Sequence, residues 1–266
     1  MLPQNSIDRN EFKEIWAIVK NLFHHKTGVL IFSAILLIML YGTHGDLELL
    51  KFILKDWSAP GVSTSTRTAI IPFIPWDREF ISFSLGFVLL VLIPCIIIKF
   101  VFRESLSDYG ICLPAKEHRR AAWLVFLLLI LISVIPFYFA SKDKQMQAVY
   151  PFFKLFTSKW EFAVYELTYL PFFITIEFIF RGFLLLGLVK VAKDDDFQIG
   201  AYAILVAMLS YTAWHLGKPV TELWGTPIWG LVAGASVYRV RSILPVVAAH
   251  WLLNIWLDAL IFYQFI

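Results

Sequence analysis

From Gly28 onward the chain alternates long apolar runs with short polar breaks, the pattern of membrane-crossing helices joined by loops. A helix needs roughly 20 apolar residues to traverse about 30 Å of hydrocarbon. The runs that meet or approach this are Gly28–Thr43, Phe80–Phe100, Ala121–Ala140, Phe162–Val189, Ile199–Trp214, Pro227–Tyr238 and Ile243–Phe265. The sixth is short, and the fourth is long enough to tilt or to extend past the lipid. An eighth crossing at Leu47–Leu54 is the alternative count, but Glu48 and Lys51 favour an interfacial position there. Before the first run, Trp16, Ile18, Val19, Leu22 and Phe23 recur at near-helical spacing, which predicts an amphipathic helix lying along the membrane surface. Ser58–Arg78, rich in Pro, Ser and Thr, reads as a turn-rich excursion. Arg103–Arg120 and Lys190–Asp196 read as polar connections.

Composition agrees with that pattern. Of 266 residues, 59% are hydrophobic and 16% charged, whereas soluble domains carry about a quarter charged and slightly under half apolar residues. Disorder, collagen, coiled coil and a disulfide scaffold are excluded by the same figures, and the predicted class is an all-α polytopic transmembrane bundle of about seven spans. The net charge of +3 is too mild for a nucleic-acid binder. Thirteen lysines and arginines fall on the N-terminal side of the predicted spans against nine opposite. This favours a cytoplasmic N-terminus, with a bacterial cytoplasmic membrane as the expected location. The two cysteines, Cys95 and Cys112, make no framework.

Ionisable groups inside spans are costly and point to function by default. Three sets stand out: Glu177 with Arg181 in the fourth run, Tyr211 with His215 closing the fifth, and His250 with Asn254 in the seventh. In the first and third sets the partners are i,i+4 neighbours on one helix face. Each set alone has a packing explanation: a self-neutralising ion pair, a wet interfacial histidine, and interhelical hydrogen-bond glue worth on the order of 1 kcal/mol. Together, a carboxylate, two imidazoles, an amide and a guanidinium suit acyl transfer to water. A desolvated Glu removes a proton from water, one His orients that water, and the second His with Asn donates to the oxyanion. No serine sits in a Gly-x-Ser-x-Gly elbow, neither cysteine has a neighbouring histidine, and His-Glu-x-x-His is absent. No cofactor is expected, although two histidines and a glutamate would suffice as zinc ligands.

In this order the three sets resemble the motifs of the CPBP family of CAAX-processing and bacteriocin-processing intramembrane proteases: Glu-Glu-x-x-x-Arg, Phe-x-x-x-His and His-x-x-x-Asn. Glu177 and Arg181 match the second Glu and the Arg, followed by Gly182-Phe183-Leu184. Tyr211 and His215 match the second motif with Tyr for Phe, and His250 and Asn254 match the third. Gly230-x-x-x-Gly234, the stretch to Pro245, and the upstream Ser107-Asp108-Tyr109-Gly110-Ile111 are also similar to the family. The implied organisation is an interfacial segment at 1–27, two spans with their loops at 28–120 and a motif-bearing core at 121–266. The resemblance implies an intramembrane glutamic endopeptidase, acting on a membrane-associated protein or peptide. Its catalytic residues would be Glu177, Arg181, His215, His250 and Asn254.

One position departs from the pattern. The family's first Glu, its general base, is Ile176 here. Adjacent helix residues point about 100° apart, so Glu177 serves as base only after a rotated or unwound turn, and otherwise as an electrostatic partner. Glu166, Tyr169 and Tyr211 are expected to line the substrate cavity. The competing function is a membrane interaction or bacteriocin-immunity protein that keeps the bundle and has lost catalysis. A weaker alternative is a transporter using the polar cavity for a proton or small ion.

Overall fold

The computed structural model describes residues 9–44, 74–192 and 197–263. Among the described residues the chain is helical, without strands. The helices are α1 (Arg9–His24), α2 (Lys26–His44), α3 (Asp77–Phe102), α4 (Lys116–Ala140), α5 (Lys144–Val149), α6 (Lys159–Val191), α7 (Phe197–Trp214), α8 (Val220–Val240) and α9 (Leu244–Phe262). Each of the first six apolar runs read from the sequence lies on one of them, and α9 carries the seventh from Leu244 to Phe262, its last residues lying outside the described ones. Pro227 falls inside α8, which starts seven residues before the expected run because Thr221 and Glu222 form a polar first turn. Leu47–Leu54 and most of Ser58–Arg78 lie outside the described residues.

By length and apolar composition α3, α4, α6 and α9 qualify as membrane spans, and α1 with α2 makes a fifth if that pair, bent by 86°, is one span. This is fewer than the seven expected. α7 is a shorter apolar helix, and Glu222, Thr226, Gly225 and Pro227 dilute α8.

α6 is the axis of the bundle. It is an ordinary α-helix through Glu177 and then widens into π-type turns from Phe178 to Leu186, every residue of which is buried. Extra-wide turns of this kind are rare and recur at functional sites. Around it, α3 packs on its N-terminal half, α7 on the widened half, and α9 between α6 and α4. α7 and α8 approach closely because Gly230 and Gly234 face Met208 and Ile204; a Cβ on Gly230 would stand 2.7 Å from Met208 Cγ. The small-x-x-x-small pair is therefore a helix-packing device. α4 turns Trp123, Leu124, Leu127, Leu128, Leu131 and Ile135 outward, an apolar surface that suits lipid and not water.

Two ends close the bundle. At one, Lys26 grips both Glu104 carboxylate oxygens at 2.6 Å, Tyr109 donates to Glu104 at 2.6 Å, and Lys190 pairs with Asp108. Burial opposes ionisation of Glu104, but Lys26, the Tyr109 hydroxyl and Lys190 outweigh it and hold the carboxyl below the usual range. Gly110 there adopts φ 79°, a left-handed conformation, and its carbonyl accepts from Ile243 N–H at 3.1 Å. Ser242 donates to the Cys112 carbonyl and Arg239 meets His118. At the other end Asp143 caps α5 and accepts from Thr221, and Gln145 accepts from Val220 N–H.

Candidate active site

Glu177 is the last residue of the regular part of α6, and the change of helical pitch fixes what surrounds it. It is fully buried. Its Oε1 accepts from His250 Nδ1 at 2.6 Å and from Trp229 Nε1 at 3.3 Å, and its Oε2 faces Arg181 Nη1 at 3.3 Å. The Arg181 guanidinium lies 4.1 Å from the centre of the Tyr211 ring, within cation–π range. The first motif therefore touches the third through His250 and the second through Tyr211. Residues 30 to 73 positions apart in sequence come together around two charges that neutralise each other in an apolar interior.

α7 ends at Trp214, and the chain turns there. His215, just past that end, is buried; its Nδ1 lies 2.7 Å from the Tyr211 carbonyl. A carbonyl only accepts, so Nδ1 carries the hydrogen and Nε2 presents a lone pair. Nε2 lies 3.5 Å from Glu222 Oε1. Glu222 in turn accepts from the Tyr150 hydroxyl at 2.8 Å. On α9, His250 packs between the rings of Phe173 and Trp229, and Asn254 donates to Asp258 at 2.9 Å.

A cavity of about 290 Å³ is lined by Tyr211, His215, Glu222, His250 and Asn254 together with apolar residues of α4, α8 and α9, among them Ile132 and Ile228. Sharing His215, Glu222, His250 and Asn254 with it, a space of about 40 Å³ is also lined by Tyr169 and Ile176. Of the catalytic residues expected from the sequence, His215, His250 and Asn254 share this cavity. Glu177 and Arg181 lie behind His250 and Tyr211 and line neither space. Of the expected cavity residues, Tyr211 lines both and Tyr169 the smaller. Glu166 lines neither and sits beside Asp258, which anchors Asn254.

Sequence reading missed Glu222, Tyr150, Trp229 and Asp258. Asp258 is one helical turn beyond Asn254 on the same face, a signal the sequence did offer. Glu222 reads as an ordinary acid in a helix's first turn, and only the reversal after His215 brings it back to the motifs. Among the described residues no group of three His, Cys, Asp or Glu side chains stands in metal-binding geometry.

Residues 158–256, from the cap of α6 into α9, match the family model Rce1-like, described as type II CAAX prenyl endopeptidase Rce1-like. This stretch contains all three motifs and is consistent with the CPBP resemblance. No curated protein and no solved structure matches the chain.

Proposed function

We propose, from the Rce1-like domain at residues 158–256, that this integral membrane protein is an intramembrane peptidase that hydrolyses a peptide bond of a membrane-associated protein or peptide with activated water. The observation that carries the reading is the convergence of His215, His250 and Asn254, from three separate places in the chain, on one cavity. In this reading His215 holds the attacking water through Nε2. His250 and Asn254 hold the oxyanion, where one donor is typically worth about 10²–10³ in rate. Glu177 is a positioning residue. Accepting from Nδ1, it fixes the orientation of the His250 ring at the cavity wall. Arg181 balances the Glu177 charge.

The family description names prenyl CAAX endopeptidases, and the proposed substrate class is a prenylated C-terminal segment. Ile132 of α4 and Ile228 of α8 line the cavity while exposed on the outer surface, which suits sideways entry of a lipidated chain. We also propose that α2, α3, α4, α6, α7, α8 and α9 each cross the bilayer, with α1 along its surface.

The test is hydrolysis of an internally quenched, farnesylated peptide ending in a CAAX motif by the purified full chain. His215→Ala and His250→Ala should each lower kcat by about 10²-fold or more. Unchanged hydrolysis in both variants would refute the proposal. One observation favours a second reading, a non-catalytic bundle: Ile176 is buried where the family has its base. That reading expects an inactive wild type that gains activity on Ile176→Glu.

A further inference from the structure

The site lacks a carboxylate at Ile176, yet one reaches the same space from another helix. Glu222, in the first turn of α8, lines both the large cavity and the small space that Ile176 also lines. No other Asp or Glu among the described residues lines either one. Glu177 is enclosed by Arg181, His250 and Trp229, and Glu166 is turned to Asp258.

The local geometry also suits water. His215 Nε2 and Glu222 Oε1 are two acceptors 3.5 Å apart, and Glu222 Oε2 is buried with no hydrogen-bond partner. A water about 2.8 Å from Nε2 and from the carboxylate satisfies both acceptors, giving one hydrogen to each. Its lone pairs then face away from both groups. The Tyr150 hydroxyl, donating to Oε1 at 2.8 Å, holds the carboxylate in that orientation.

We propose that Glu222 is the general base of this peptidase, acting from α8 in place of the glutamate that α6 lacks at position 176; this rests on the peptidase reading above. Glu222 takes a proton from water as the water oxygen bonds to the scissile carbonyl carbon, and the carbonyl electron pair moves onto its oxygen, facing His250 and Asn254. When the carbonyl reforms, the C–N bond breaks and the proton on Glu222 passes to the leaving nitrogen. The products are a carboxylic acid and an amine, and Glu222 is again a carboxylate.

The experiment follows hydrolysis of the quenched farnesylated CAAX peptide by the full chain in liposomes. Glu222→Gln, whose amide oxygen still accepts from Tyr150, should lower kcat by about 10³-fold with little change in KM. Glu222→Asp, which keeps the carboxylate, should retain more activity than the Gln variant, and Ile176→Glu placed in the Glu222→Gln chain should restore turnover. A Glu222→Gln enzyme within threefold of wild-type kcat, while His215→Ala is inactive, would overturn the assignment of Glu222 and leave the peptidase reading standing. A wild type that cleaves nothing, beside an active Ile176→Glu single variant, would overturn the peptidase reading and this inference with it.

Discussion

Arg181 is held between the Glu177 carboxylate and the Tyr211 ring, with only about 1% of its side chain exposed. Removing one member of such a pair leaves an uncompensated charge in an apolar interior, at a cost of about 3–5 kcal/mol. Arg181→Leu should therefore lower the thermal midpoint of the detergent-solubilised chain sharply. Adding Glu177→Gln to it should recover part of the loss, because no lone charge then remains; a double variant no more stable than the single one would contradict this. At this scale much was legible: Glu177, Arg181, His215, His250 and Asn254 announce themselves as polar residues in apolar runs. Glu222 did not, because an acid in a helix's first turn is commonplace and its role depends on a chain reversal that no local pattern encodes.

Elements show the same division. Each apolar run falls on a helix, α8 beginning seven residues ahead of its run, since an apolar segment leaves the backbone few alternatives in lipid. The widening of α6 after Glu177 has no counterpart in the spacing of side chains, which is why the orientation of Glu177 stayed open in the sequence. Gly182 shows how tightly that widened segment is held: a Cβ there would stand 2.7 Å from the Tyr109 carbonyl oxygen and 2.5 Å from the Phe178 ring. Backbone at that distance does not yield easily, so Gly182→Ala should destabilise by about 1–3 kcal/mol, read as a lower melting midpoint. The Glu104 cluster, which ties α2, α3 and α6 together, carries a pH signature. Because its carboxyl is held below the usual range, its contribution is complete above the unfolded value of about 4.3 and is lost as pH falls through the folded value. Melting curves should show wild type and Glu104→Gln converging in stability below about pH 4 and separating above it. A constant difference across that range would remove Glu104 from the account.

Across the whole molecule the charges sort by end. Lys26, Lys190, Arg239 and their partners Glu104, Asp108 and His118 close one end, while Lys142, Lys144 and Lys218 belong with the cavity-side turns at the other. From the charge bias along the sequence we propose that the first end faces the cytoplasm; a membrane-impermeant thiol reagent added outside intact cells should then label Lys144→Cys and spare Lys116→Cys. The opposite pattern would invert the bundle. We propose that the cavity holding His215, His250 and Asn254 hydrolyses peptide bonds with water. The most direct test is mass analysis of a farnesylated CAAX peptide incubated with the purified chain in heavy-oxygen water. Cleavage with one heavy oxygen in the new carboxyl terminus, abolished in His215→Ala, is the predicted result; an intact peptide, or cleavage that survives in His215→Ala, would contradict it.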